Sequence, residues 1–283
     1  EHLDLKHPFL SIIWKREEDP AHPQVKASSA DMVRDPEIDV RVQLQRVRWD
    51  IEHMEAAHEL GVASAIFPAM DMIHFGTGPL ATAFGAQCVL REESQPAFEP
   101  AIHTPEQARQ LRYPNLYKDG MCPTILERIA YYNEATQGKI PIHYCDTAGP
   151  WTAATQVWHY EDIMEAIHTA PDAVHHVLTL VTDAVMERCD IQATHMRNFI
   201  GAYLPIGPWI PRGFHSGDDT MVCVSPGVLE EFYLPYNNRL SRHYGGYSYH
   251  CCMRWDFHYM TLATKTVGLM GFETSPEYND IGK

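Results

Sequence analysis

A chain of 283 residues with 45% apolar side chains can build one large domain or two small ones around a sizeable core. It has no run of about 18 apolar residues, so no helical membrane span is expected. A formal net charge of −15 argues against nucleic acid and anionic membrane surfaces as partners, since both call for basic surface.

The segment before residue 36 is broken by prolines at 8, 20, 23 and 36 and reads as an irregular N-terminal extension, 1–38. Only the apolar run at 9–14 looks like a strand. The opening Glu1-His2-Leu3-Asp4 lacks the basic-then-apolar layout of a signal peptide, so a cytoplasmic location is expected. From 39 to 60 the pattern turns helical, with Val40, Leu44, Val47, Ile51, Met54 and His58 near one face, and Gly61 ends it. Residues 62–67 read as a strand. The small-residue stretch from Gly76 to Gly85 has neither the Lys-Ser/Thr of a P-loop nor a dinucleotide fingerprint, so it reads as a tight turn and a helical turn.

Thr104-Pro105-Glu106-Gln107 is a helix start with capping-box spacing. A further helix runs from Cys122 to about 136, and residues 140–145 form a strand. Two helices in series follow, 161–166 and 171–189, the second with Val174, Val177, Leu178, Val181 and Val185 at core spacing. A strand and its loop are expected over 193–203. Residues 220–224 fit either a strand or a loop. Ser225-Pro226 opens a helix towards His243, as an N-cap serine with proline in the first turn should. Gly245-Gly246 breaks it, 247–251 is a strand, 256–266 a helix, and 267–272 begins a last strand.

This alternation favours a parallel sheet covered by helices, in one domain spanning 1–283. In such a barrel, chemistry sits at the C-terminal ends of the strands. His143, Cys145 and Asp146 fall there, as do Asp218 and Asp219, and so do His250, Cys251 and Cys252. His250 and Cys252, two apart on a strand, project to the same side, and imidazole with thiolate suits Zn²⁺. The same residues also read as a core thiol and a hydrogen-bonded core histidine. Seven cysteines without dense spacing read as thiols or ligands rather than a disulfide framework. Asp71, His143 and Tyr203 are candidate substrate contacts. Asp71 equally suits a helix N-cap.

From Gly149 onward the chain resembles the uroporphyrinogen decarboxylase superfamily. The resemblance rests on Gly149-Pro150-Trp151-Thr152, Pro171-Asp172-Ala173-Val174 and Asp218. It continues through Ser225-Pro226, Glu231-Phe232, Leu234-Pro235-Tyr236 and His250-Cys251-Cys252. Ala83-Phe84-Gly85 adds to it from the N-terminal half. The resemblance implies an α/β fold, a (β/α)8 TIM-barrel-like domain, of which the present sequence accounts for all but the last strand-helix units. True decarboxylases of this kind carry an Arg-Gln-Ala-Gly-Arg segment for substrate carboxylates, and no such segment occurs here.

The other branch of the superfamily implies a zinc-dependent methyltransferase moving a methyl group between a corrinoid and a thiol. Its partners would be a small-molecule substrate and a corrinoid carrier protein. By that resemblance His250 and Cys252 are metal ligands and Asp218 is a catalytic residue that orients a ligand or substrate group. The branch pattern adds a distant downstream cysteine, and no cysteine follows Cys252. Cys251 and Cys145, with His143, are the substitutes to consider as a third ligand. Two alternatives stay open: a metal-free decarboxylase-like lyase, and a non-catalytic barrel that binds a tetrapyrrole or corrinoid.

Overall fold

The computed structural model of the protein describes residues 25–59, 61, 68–199, 212–254 and 264–274. The strands expected at 9–14 and 62–67, most of the helix expected at 256–266, and Tyr203 lie outside the described residues.

The first described helix, α1 (Ser29–Arg34), falls in the stretch expected to be irregular. Its capping box explains it: Ser28 Oγ accepts from Asp31 N, and the Asp31 carboxylate accepts from Ser28 N. Proline 36, read as a breaker, instead starts α2 (Pro36–Glu59), because the missing N–H of a first-turn proline costs no helical hydrogen bond. Expectation and structure differ on the buried face of α2. Val40 and Val47 are buried beside Asp39, Gln43 and Asp50, while Leu44, Ile51 and Met54 are exposed. Polar residues take the inner face here because they are paired there. The Arg128 guanidinium bonds the Asp39 carboxylate and the carbonyls of Met32 and Val33. The Tyr132 hydroxyl donates to Asp39 Oδ2 at 2.6 Å, and His74 Nε2 lies 3.2 Å from the same oxygen.

The Gly76–Gly85 stretch forms a tight turn followed by α3 (Pro79–Ala83), as its small residues imply. An antiparallel pair, β1 (Gln87–Val89) with β2 (Ala97–Glu99), comes next and was not apparent from the sequence, since each strand is only three residues long. Then follow α4 (Pro105–Gln110), α5 (Cys122–Ala135), α6 (Pro150–Val157), α7 (Tyr160–Thr169) and α8 (Pro171–His195). Helix α4 has the expected capping box on Thr104 and Gln107. Helix α8 extends through residues 193–195, where a strand was expected, and buries Val174, Val177, Leu178, Val181 and Val185 in the main core.

The second half carries a three-stranded parallel sheet in the order β3 (Phe214–Gly217), β4 (Tyr247–Cys251), β5 (Leu269–Thr274). Between β3 and β4 lie a 3-10 turn (Asp219–Cys223), α9 (Pro226–Val228), a π turn (Leu229–Tyr233) and α10 (Leu234–Tyr244). Gly245 closes α10 in the left-handed conformation at φ 78° that a C-terminal glycine supplies. Parallel contacts continue outside the sheet, at Met70 with Ile142 and at Ala148 with Gly217. The strand expected at 140–145 is thus reduced to a single bridge.

The fold is mixed α/β with a parallel sheet, and among the described residues the strands do not close into a barrel. No described helix is long and apolar enough to cross a membrane.

The buried Asp39 carboxylate depends on its cation. Replacing Arg128 with Met is expected to cost about 3–5 kcal/mol, because it strands a buried charge. Urea denaturation of the two chains checks the value.

Candidate metal centre

The site lies at the C-terminal ends of β3, β4 and β5. Parallel register sets His250 opposite Gly217 on one side and Glu273 on the other. His250 lies on β4 and Cys252 in the bend that follows it, and His250 Nε2 lies 2.9 Å from Cys252 Sγ. The other nitrogen, Nδ1, is 3.3 Å from Glu273 Oε2. His215 Nε2 reaches the same oxygen at 3.3 Å, and its Nδ1 pairs with Ser248 Oγ at 2.6 Å. One carboxylate therefore joins two imidazoles across three strands.

Asp219, at the start of the 3-10 turn, accepts a hydrogen bond from Cys252 N at 2.6 Å. The possible ligand atoms of Asp219, His250 and Cys252 lie within 4.8 Å of one another, and so do those of His215, His250 and Glu273. Sulfur, imidazole nitrogen and carboxylate oxygen form a donor set that fits Zn²⁺. His250 belongs to both groups and can use one nitrogen for a metal while the other is oriented by Glu273, the usual arrangement around a metal-bound histidine.

The electrostatics are consistent with a cation here. Burial opposes ionisation of Glu273, but the hydrogen bonds and charges of His215 and His250 prevail and bring its pKa down to about 2. Burial alone would lower the His250 pKa, yet Glu273, with Asp219 and Asp146, raises it. The Cys252 thiol is held up by burial and by the negative charges of Asp219 and Glu273. A dication among these groups would reverse that last effect and favour the thiolate.

Asp218 lies beneath this cluster, fully buried. Its N–H donates to His250 O at 2.9 Å, and its Oδ2 accepts from Tyr247 Oη at 3.0 Å and Ser216 Oγ at 3.2 Å. Burial pushes its pKa up to about 7, against the lowering effect of the Tyr247 and Ser216 hydrogen bonds. The glycine of Gly149-Pro150-Trp151-Thr152 now has a physical reason. A Cβ at 149 would stand 2.1 Å from Asp218 Oδ1.

The other sequence candidates lie elsewhere. Cys251 points to the opposite face of β4 and belongs to the core, and burial raises its thiol to about 12. Cys145 is also a core residue, with its N–H on Gln192 Oε1 at 2.8 Å and its thiol likewise raised to about 12 by burial. Neither shares a ligand group with His250 among the described residues. His143 is buried, and burial, aided by the Arg46 charge, lowers its pKa to about 3. Asp71 is buried and paired with Arg46, and its Oδ1 accepts from Ile73 N at 3.1 Å, a capping contact at the following 3-10 turn.

His215 and Glu273 were not singled out from the sequence. Glu273 has a readable signal, an acidic residue ending the apolar run that begins at 267. His215 has almost none, because Phe214-His215-Ser216-Gly217 is short and half polar.

Residues 68–200 match the family model described as uroporphyrinogen decarboxylase. The resemblance drawn from the sequence holds. A methyltransferase from Methanosarcina mazei has a similar structure, with a TM-score of 0.55 and 18% identity over 81% of this chain. At that identity the likeness is one of fold, and the present chain accounts for 64% of that structure's chain. A comparison with curated proteins found no match.

Two outcomes follow from this geometry. Gly149→Ala is expected to destabilise the protein by about 1–3 kcal/mol through overpacking against Asp218, measurable by thermal or urea unfolding. For His143, the unfolded chain gains a proton near pH 6.5, whereas the folded chain resists it to about pH 3. The contribution is therefore complete above pH 6.5 and is lost as pH falls towards 3, by up to about 1.4 kcal/mol per pH unit. His143→Gln should flatten this slope in unfolding measured from pH 7 down to pH 4.

Proposed function

We propose that this chain is a zinc-dependent methyltransferase that moves a methyl group between a corrinoid and a thiol. The observation that supports this most directly is His250 Nε2 at 2.9 Å from Cys252 Sγ, with Asp219 beside them. Zn²⁺ held by these residues would lower the pKa of a bound thiol and present it as a thiolate. The eight-unit (β/α) barrel, in a single domain, belongs to the same proposal. So do a small-molecule thiol as substrate and a separate corrinoid carrier protein as partner.

Within that reading the chain's own residues divide the work. Glu273, 3.3 Å from His250 Nδ1, would orient that ring once its Nε2 holds a metal, and His215 steadies Glu273 from the other side. The backbone of Cys252 is pinned by Asp219. Asp218 acts as a positioning residue: its main chain is tied to β4, and its side chain is locked by Tyr247 and Ser216. The decarboxylase-like alternative calls for a basic cluster to grip substrate carboxylates. The strand ends here instead present Asp146, Asp218, Asp219 and Glu273, which suit a cation better than a polyanion.

Zinc analysis of the freshly purified protein should find metal, and His250→Ala and Cys252→Ala should each lose the equivalent bound at this centre. Glu273→Gln should weaken zinc binding about 10–100-fold, as expected for a carboxylate that orients a metal-bound histidine. Methyl transfer from methylcobalamin to a small thiol should fall with the zinc. Zinc content unaffected by both the His250 and Cys252 substitutions would overturn the metal assignment. Tight cobalamin binding without transfer to any thiol would favour a non-catalytic corrinoid-binding barrel instead.

A further inference from the structure

A second cluster of metal-ligating side chains lies apart from the strand ends. His103 Nδ1 and His159 Nδ1 approach the same oxygen, Asp162 Oδ2, at 3.2 and 3.3 Å. The two imidazole centroids are 5.4 Å apart and tilted by 31°. All three possible ligand atoms lie within 4.8 Å of one another. The cluster lies at a parallel bridge between Ile102 and Trp158, before α4 and at the start of α7.

Two features set these residues apart from a chance surface grouping. The first is that their backbones are fixed. His159 N donates to Ile102 O at 2.9 Å, Ala101 N and Ile102 N both donate to Val157 O at 3.1 Å, and His103 N donates to Gln107 Oε1 at 2.8 Å. The histidines are therefore carried on adjacent, cross-linked segments, and Asp162 follows in the first turn of α7. Little chain entropy remains to be lost on gathering them.

The second is the spacing. Ligands about 2.0–2.1 Å from a tetrahedral metal stand about 3.3 Å from one another. The two nitrogen-to-oxygen separations already have that value. Two histidines and one carboxylate also form a facial set that suits first-row transition ions and leaves positions open for water. The positive end of α7 works against a cation, but Glu161 and Asp162 in its first turn offset it.

We propose that His103, His159 and Asp162 form a second metal site, for Zn²⁺ or a similar divalent transition ion, with solvent completing the shell. Bound metal would clamp the start of α7 to the segment that leads into α4. The site is independent of the centre at His250 and Cys252, since the two share no residue.

Cobalt(II) titration of the full-length protein separates the two by spectrum. Only a site containing Cys252 gives a thiolate-to-cobalt charge-transfer band, whereas ligand-field absorption in the visible reports both. In the Cys252→Ala chain the charge-transfer band should vanish while ligand-field absorption persists, and His159→Ala in that background should abolish what remains. Calorimetry with zinc alone should show the same pattern: His103→Ala or Asp162→Asn removes one equivalent from the wild-type stoichiometry, while the cobalt(II)-loaded forms of these two variants keep the charge-transfer band. Should a substituted chain fail to fold, zinc protection of His103 and His159 from diethyl pyrocarbonate in the wild type gives the same reading. Zinc stoichiometry unchanged by His103→Ala and Asp162→Asn in folded protein, or no zinc protection of these histidines, would overturn the proposal.

Discussion

The candidate centre depends on parallel register. Strands β3, β4 and β5 run side by side, and the pairing places Gly217, His250 and Glu273 at one height. A one-residue slip of β4 would turn His250 and Cys252 to the core face and bring Cys251 out in their place. What holds the register is mostly packing on the inner face, where Tyr247, Tyr249 and Cys251 are buried. Tyr249 stacks on Phe272 at 5.8 Å, and Tyr247 bonds Asp218 across the strand boundary. The polar cluster is thus positioned by apolar contacts and one buried hydrogen-bonded carboxylate behind it.

Two buried carboxylates with different surroundings do different structural work. Asp39 is surrounded by Arg128, Tyr132 and His74 and ties α2 to α5 and to the turn after residue 72. Asp218 has hydroxyl donors, and the charge of His250 helps it only weakly, so burial raises its pKa to about 7. The difference follows from what each can recruit. An ion pair with several further donors offsets the loss of hydration, whereas two hydroxyls offset only part of it. Glycine at 149 belongs to the same arrangement, because any side chain there would occupy the space of the Asp218 carboxylate.

Glu273 carries the opposite lesson. It is also largely buried, but it faces two imidazoles and stays ionised. The carboxylate stands 3.3 Å from one nitrogen of each ring, His250 Nδ1 and His215 Nε2. That leaves His250 Nε2, the nitrogen beside Cys252, free of Glu273 and directed to the strand end. The acidic balance of the whole chain is thus echoed locally, in a site whose charges favour a cation.

Much of this was legible from local chemistry. The caps at Thr104 and Ser225, the glycine stop at Gly245 and the strand Tyr247–Cys251 depend on contacts within a few residues, so the sequence alone determines them. The His250-Cys252 pairing is equally local, because the two residues stand only two positions apart, at the end of β4 and in the bend after it. Long-range pairing was not legible. Helix α2 hides polar residues whose partners are mostly distant in the chain, Arg128, Tyr132 and His74 for Asp39 and Asp71 for Gln43, so its apolar periodicity misreads the buried face. His215 and Glu273 meet His250 only because three strands lie in register, and nothing in their own neighbourhoods records that. Cys251 and Cys145 looked like ligands by type, and only the tertiary structure places them in the core. Sequence determined which groups were available and which local turns would hold them; the sheet decided which of them meet, because register is a property of strands that are far apart in the chain.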